Sequence, residues 1–290
     1  MTERFLIINA DDFGLCPSVN EAIRQLFAFK LITSTSLLAA SSCAMDAASI
    51  ALETNLPTGV HWTLYSQWQE EPFPCAAEAE TVASLLANGL LPADGGLQAR
   101  KARAGEVTRE LDAQAVSLMK RGIPIDHADS HGGTLYGMNG RLFFLSAFRL
   151  CRTYHLPFRF PRNSSFLKRQ LGSEPSAVIR TAHRAIVLLA DIYHTLLPDD
   201  MLTNPYSVKQ IGSYEALREY YLREIRKLKS GVTELFLHPS LPDPVLRNRT
   251  SEWQKREWEF RLLTEPEFHD LIRSEGIHLV SWKDAPLKGK

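Results

Sequence analysis

The sequence lacks an excess of either charge: 33 Lys and Arg stand against 33 Asp and Glu, giving a formal net charge of zero with nine His counted as neutral. That balance argues against a nucleic-acid binder, which carries a basic excess or stripe, and gives no reason to propose a highly charged polymer as substrate. Long hydrophobic runs are also missing. The most apolar helical stretch, residues 185–197, is broken by Asp191 and His194 and falls short of the ~20 residues of a membrane span. The run Phe5-Leu6-Ile7-Ile8 is too short for the core of a signal peptide, and no small-residue cleavage site follows it. Cysteine is scarce: Cys16, Cys43, Cys75 and Cys151 are scattered, with no CxxC pair, and read as reduced structural thiols. A cytoplasmic location and no membrane association are expected. Without a GxGxxG or P-loop motif, a nucleotide cofactor has no support.

What is present is a chain of 290 residues that is 44% hydrophobic, enough for a large core and a length common for one α/β barrel. Short apolar runs alternate with helix-length amphipathic segments. Strands are expected at 5–9, 34–40, 59–64, 124–129, 157–160, 234–238 and 277–282. Helices are expected at 18–29, 45–53, 106–120, 142–154, 214–229 and 265–274. Pro17-Ser18 with Glu21 reads as a capping box, and Gly122 closes the helix before it. Residues 66–105 show no clear strand. Residues 163–212, with an apolar helix at 177–197, read as a helical insertion, and 239–260 as a charged connection. Strands apolar on both faces and repeated β–α units predict an α/β fold: an irregular (β/α) barrel of about seven parallel strands, as one domain over 1–290.

Active sites of parallel α/β folds lie at the carboxyl ends of the strands, and the polar residues gather there. The first strand ends in Asn9-Ala10-Asp11-Asp12, the third carries His61, the fourth ends in His127-Ala128-Asp129-Ser130-His131, the fifth ends near Arg159, and the sixth in His238-Pro239. One imidazole at a strand end is ordinarily a satisfied core or rim residue. Several such ends together with a carboxylate pair point instead to a divalent metal held by two imidazoles and one carboxylate, with positions open for water and substrate. His127, Asp129 and His131 have the spacing of one strand face. Of these, His131 is expected at the rim and His127 in a supporting position. Trp62, beside His61, is expected to point into the core.

In this order and spacing the stretches Ile8-Asn9-Ala10-Asp11-Asp12-Phe13-Gly14, Gly59-Val60-His61, His127-x-Asp129-Ser130-His131 and His238-Pro239 resemble the YdjC-like carbohydrate deacetylases, a group that includes chitooligosaccharide and hopanoid-pathway deacetylases. Arg256-x-x-Glu259 and the closing segment Gly276-Ile277-x-Leu279 fit as well, so the resemblance spans nearly the whole chain. It implies a barrel like that of the polysaccharide deacetylases and metal-dependent removal of an acetyl group from an N-acetylated sugar or oligosaccharide. It further implies Asp12, His61 and His131 as ligands of one divalent ion (Zn²⁺ or Mg²⁺), Asp11 as general base, and His238, from the opposite rim, as the acid that protonates the leaving amine. Arg159 is then expected to hold Asp11 by a charge-assisted hydrogen bond, with His127 and Asp129 in support. Many relatives continue Asp-Ser-His with further His, where this chain has Gly132-Gly133-Thr134-Leu135. Two alternatives stay open: a metallohydrolase of the same geometry acting on a non-sugar acyl compound, and a non-catalytic carbohydrate-binding member. A homodimer is compatible with the sequence.

Overall fold

The computed structural model describes residues 3–288. Its strands are β1 (Arg4–Phe13), β2 (Ser34–Leu37), β3 (Thr58–Trp62), β4 (Ala128–Ser130), β5 (Asp200–Leu202), β6 (Gly231–Leu237) and β7 (Ile277–Leu279). They form one sheet in the order β4-β3-β2-β1-β6-β5, with β7 added alongside the start of β1. Every pair is parallel. The sheet curls, with helices packed outside it, into the irregular (β/α) barrel expected.

The barrel wall is read most simply along β1 and β6, which pair from Arg4↔Gly231 to Ala10↔Leu237. Alternation along a strand sends neighbouring residues to opposite faces. Leu6, Ile8 and Ala10, with Leu235 and Leu237, join the large apolar cluster shared with the surrounding helices. Ile7 and Val232 form a second cluster with Trp282, which plugs the barrel floor. Burying each such aliphatic side chain contributes about 1.5–3 kcal/mol. Above the plug, the same inward face continues through Asn9 and Asp11 on β1 and through Glu234 and Phe236 on β6. The floor is therefore apolar and the mouth polar.

Several local expectations are revised. The helix Pro17–Ala28 starts from Cys16 with Pro17 in its first turn, and no side chain caps it. Ser18 instead donates to Asp243 at 2.7 Å, while Glu21 pairs with Arg24, so the expected capping box does not form. Residues 157–160 do not make a regular strand: Phe158 forms a single parallel bridge to Ala128. Pro157 and Pro161 lack the N–H groups a ladder needs. The segment still bonds on both flanks, Arg159 N–H to Ala128 O and Phe158 N–H to Leu196 O. The fifth strand lies instead at Asp200–Leu202, inside the stretch read as an insertion. That stretch also holds the helices Ser165–Leu171 and Ala177–Ile192. The charged connection folds into the helices Pro244–Arg249 and Trp253–Thr264. Its charges conceal an inner face on which Arg256 and Glu259 are buried among leucines.

Candidate active site

Adjacent residues of a regular strand face opposite sides, so Asp11 and Asp12 would ordinarily be separated by the sheet. The β1–β2 register slips between Ala10 and Phe13, and Asp12 takes a left-handed backbone conformation with φ 65°. This local bulge turns Asp12 inward beside Asp11. An aspartate held at positive φ is uncommon, and such strain collects where a site requires it.

Asp12 Oδ1 then lies 3.3 Å from His61 Nε2 and 3.0 Å from His131 Nδ1. All three residues are buried, and their ligand atoms lie within 4.8 Å of one another. The β3–β4 register sets His61 opposite Asp129, and His61 Nδ1 lies 2.5 Å from the Asp129 carboxylate and 3.2 Å from Ser36 Oγ. Fixing Nδ1 in this way leaves Nε2 to face Asp12, the outer-shell arrangement that orients a ligating imidazole. His131 stands just beyond β4 in the short turn His131–Gly133, at the rim as expected. Its Nε2 is buried without a partner. Asp12 Oδ2 meets Arg256 at 2.5 Å.

These contacts set the protonation states. Burial alone would raise the Asp12 carboxyl, but Arg256 and the two imidazoles more than offset it and hold Asp12 well below the usual range. Burial likewise pulls His61 down, yet Asp129 and Asp12 raise it to about 10. His131 is lowered, chiefly by burial.

Asp11 has different company. Arg159 donates to both its oxygens, at 2.6 and 2.7 Å, and Asn9 adds a third hydrogen bond at 2.8 Å. The same guanidinium reaches Asp129 at 2.8 Å and Glu234 at 2.7 Å and lies over the Phe236 ring at 4.6 Å. Burial lifts the Glu234 carboxyl to about 7, against the opposing pull of Arg159. His238 was expected across the mouth from Asp11. Because β6 is the immediate neighbour of β1, it instead stands beside Asp11, Nε2 to Oδ2 at 3.7 Å. Its backbone N–H donates to Glu259 at 2.7 Å, and its side chain is 35% exposed. His127 lies deeper, stacked on Trp282 with ring centroids 4.7 Å apart and 2.7 Å from Asp126. It therefore supports the floor, and Gly59 makes room for it, since a Cβ there would fall 2.3 Å from the imidazole. Trp62 is fully buried, as expected.

The sequence model of the YdjC-like protein family matches residues 5–274. The chain belongs to the YdjC-like family. A carbohydrate deacetylase of Enterococcus faecalis is 32% identical over 286 residues, covering 98% of both chains. Another, from Geobacillus stearothermophilus, is 27% identical over 284 residues, covering 97% of this chain and 98% of its own. Among solved structures, an Enterococcus faecalis protein named for cellobiose-phosphate cleavage superposes with a TM-score of 0.76 at 29% identity, covering 97% of this chain and 98% of its own.

The presence of Gly132 and Gly133 after His131 has a physical reason. Both have positive φ, and a Cβ on Gly132 would fall 2.2 Å from the Tyr65 hydroxyl oxygen. Glycine lets Tyr65 stack on His131, centroids 5.2 Å apart at 19°. Sequence reasoning missed Tyr65, Ser36 and Glu234. Tyr65 and Ser36 sit in loop or strand positions with no pattern of their own. Glu234 did carry a signal, as the one carboxylate in the strand Gly231–Leu237. Arg256 and Glu259 stand in the sequence as a motif without a role; in the structure they contact Asp12 and His238.

Proposed function

We propose that this chain is a metal-dependent carbohydrate N-deacetylase that hydrolyses the acetamide of an N-acetylated sugar. Supporting the reading are the carbohydrate deacetylases it resembles along their whole length. The observation that carries it is the buried Asp12, His61 and His131 set beside an Asp11–His238 pair. The donors fit a divalent ion. They are three in number, buried and convergent, one imidazole is oriented by a carboxylate, and His131 keeps an orphaned nitrogen. Two imidazoles with one carboxylate suit Zn²⁺ better than Mg²⁺, which prefers an all-oxygen shell. When bound, such an ion supplies Lewis-acid polarisation of the acyl oxygen and lowers the pKa of an attacking water.

The chain's residues account for the proton movements. Asp11, pinned by Arg159 and Asn9, takes the proton of the attacking water. His238 donates a proton to the departing amine nitrogen as the C–N bond breaks, yielding acetate and the amino sugar. The 3.7 Å between them is one small rotation away from a hydrogen bond. The proton collected by Asp11 thus returns to His238 and resets the pair. Asp129 and Glu234 keep Arg159 in place, and Arg256 restricts Asp12 to presenting Oδ1.

The test is product analysis of the metal-loaded protein on N-acetylated sugars. Acetate and a free amine in equal amounts, lost on chelation and restored by Zn²⁺, support the reading. Release of acid from esters or non-sugar amides alone would overturn it, and so would tight sugar binding without turnover under any divalent ion.

A further inference from the structure

Two aromatic rings at the mouth belong to neither apolar cluster of the fold. Phe236 follows Glu234 on the inward face of β6 and precedes His238, whose imidazole lies 6.2 Å from its ring. Arg159 packs against Phe236, yet the ring remains only half-buried. Phe166 comes from the helix Ser165–Leu171 and approaches Phe236 with centroids 6.4 Å apart. That helix has no fully buried residue and is pinned to β5 through Arg169, whose guanidinium bonds Asp200 at 2.7 Å. A pinned helix that gives nothing to the core yet points a phenyl ring at the mouth calls for an explanation other than packing.

We propose that Phe166 and Phe236 form the shelf on which the pyranose ring of the substrate rests, and that Phe166 is a specificity-determining residue for sugars over other amides. The proposal rests on the deacetylase reading, because that reading fixes the orientation. His238 must reach the nitrogen, the nitrogen is borne by the sugar, and the sugar ring therefore lies on the His238 side, where these rings are. The C–H face of a pyranose is apolar and packs on aromatic rings, and a single aromatic contact of this kind contributes a severalfold preference. The shelf also accounts for the helix within 163–212, which carries substrate selection to a barrel whose chemistry lies on the strands.

The experiment compares wild type, Phe166→Ala, Phe166→Tyr and Leu171→Ala as metal-loaded proteins. The probes are N-acetylglucosamine, diacetylchitobiose and N-acetylethanolamine, an acetamide with no ring. For the two sugars, Phe166→Ala is expected to raise KM roughly three- to tenfold with kcat within about twofold. Its action on N-acetylethanolamine is expected to be unchanged, Phe166→Tyr to restore the sugar KM, and Leu171→Ala, exposed on the same helix, to have no effect. Sugar binding to the metal-free proteins, followed by saturation-transfer NMR, is expected to weaken in step. If wild type releases acetate from the sugars but Phe166→Ala keeps the sugar KM, or loses sugar and ringless amide equally, the shelf alone is wrong. If wild type releases acetate from neither sugar, the deacetylase reading fails and takes the shelf with it.

Discussion

Asp11 and Asp12 are neighbours in sequence and equally buried, but they sit in two different electrostatic regions. Asp11 belongs to a cluster in which one guanidinium, Arg159, serves three carboxylates, Asp11, Asp129 and Glu234. Both Asp11 oxygens are committed to Arg159 and Asn9, so the group is fixed and turns its remaining capacity to His238. Asp12 has one oxygen on Arg256 and the other facing two imidazoles. The first environment suits a carboxylate that handles a proton; the second suits one that shares a cation. The difference arises from one backbone event, the left-handed turn at Asp12, which places two like residues on one side of a strand with separate partners.

The comparison is broken most severely at Asp12. Asp12→Asn, which tolerates the left-handed conformation, is expected to abolish turnover and to cost more metal affinity than the roughly 10–100-fold typical of an outer-shell partner. Asp11→Asn is expected to keep the ion and lose about 10²–10⁴-fold in kcat. Asp129→Asn touches both regions and is expected to weaken metal binding by about 10–100-fold, as read by competition with a chromogenic chelator.

A smaller and graded effect comes from pH. His61 is raised to about 10 in the metal-free protein, so it carries a proton that a cation must expel. Metal affinity is therefore expected to rise by about tenfold per pH unit between 7 and 9. Calorimetry in buffers of different ionisation enthalpy should detect about one proton released. Without metal, the same raised value contributes stability that is complete below the ordinary imidazole range near 6.5 and is lost as pH rises toward 10. The melting temperature of the metal-free chain is expected to fall across that window, and a flat profile would contradict the His61–Asp129–Asp12 coupling.

Much of this was legible in the order of the residues. Apolar strands ending in Asp11-Asp12, His61, Asp129 and His238 announced a polar mouth on a parallel barrel, because strand ends converge in that fold whatever the loops do. Other features were not legible. The bulge at Asp12 is a backbone conformation that its sequence permits without demanding. The irregular backbone that carries Arg159 comes from prolines that prevent a regular strand, although the bond of Arg159 to Asp11 was itself legible. The position of His238 beside Asp11 depends on strand order, since β6 follows β1 in space and five strands later in the chain. The helix carrying Arg256 and Glu259 was hidden for another reason: charged residues that pair with buried partners look in sequence like a solvated face.

The most direct measurement of the central claim is the metal content of Asp11→Asn and Asp12→Asn, purified side by side and reconstituted with Zn²⁺ under identical conditions. The account predicts about one ion per chain in Asp11→Asn, with catalysis lost, and none retained in Asp12→Asn. Equal metal content in the two variants, or retention by Asp12→Asn and loss from Asp11→Asn, would contradict it.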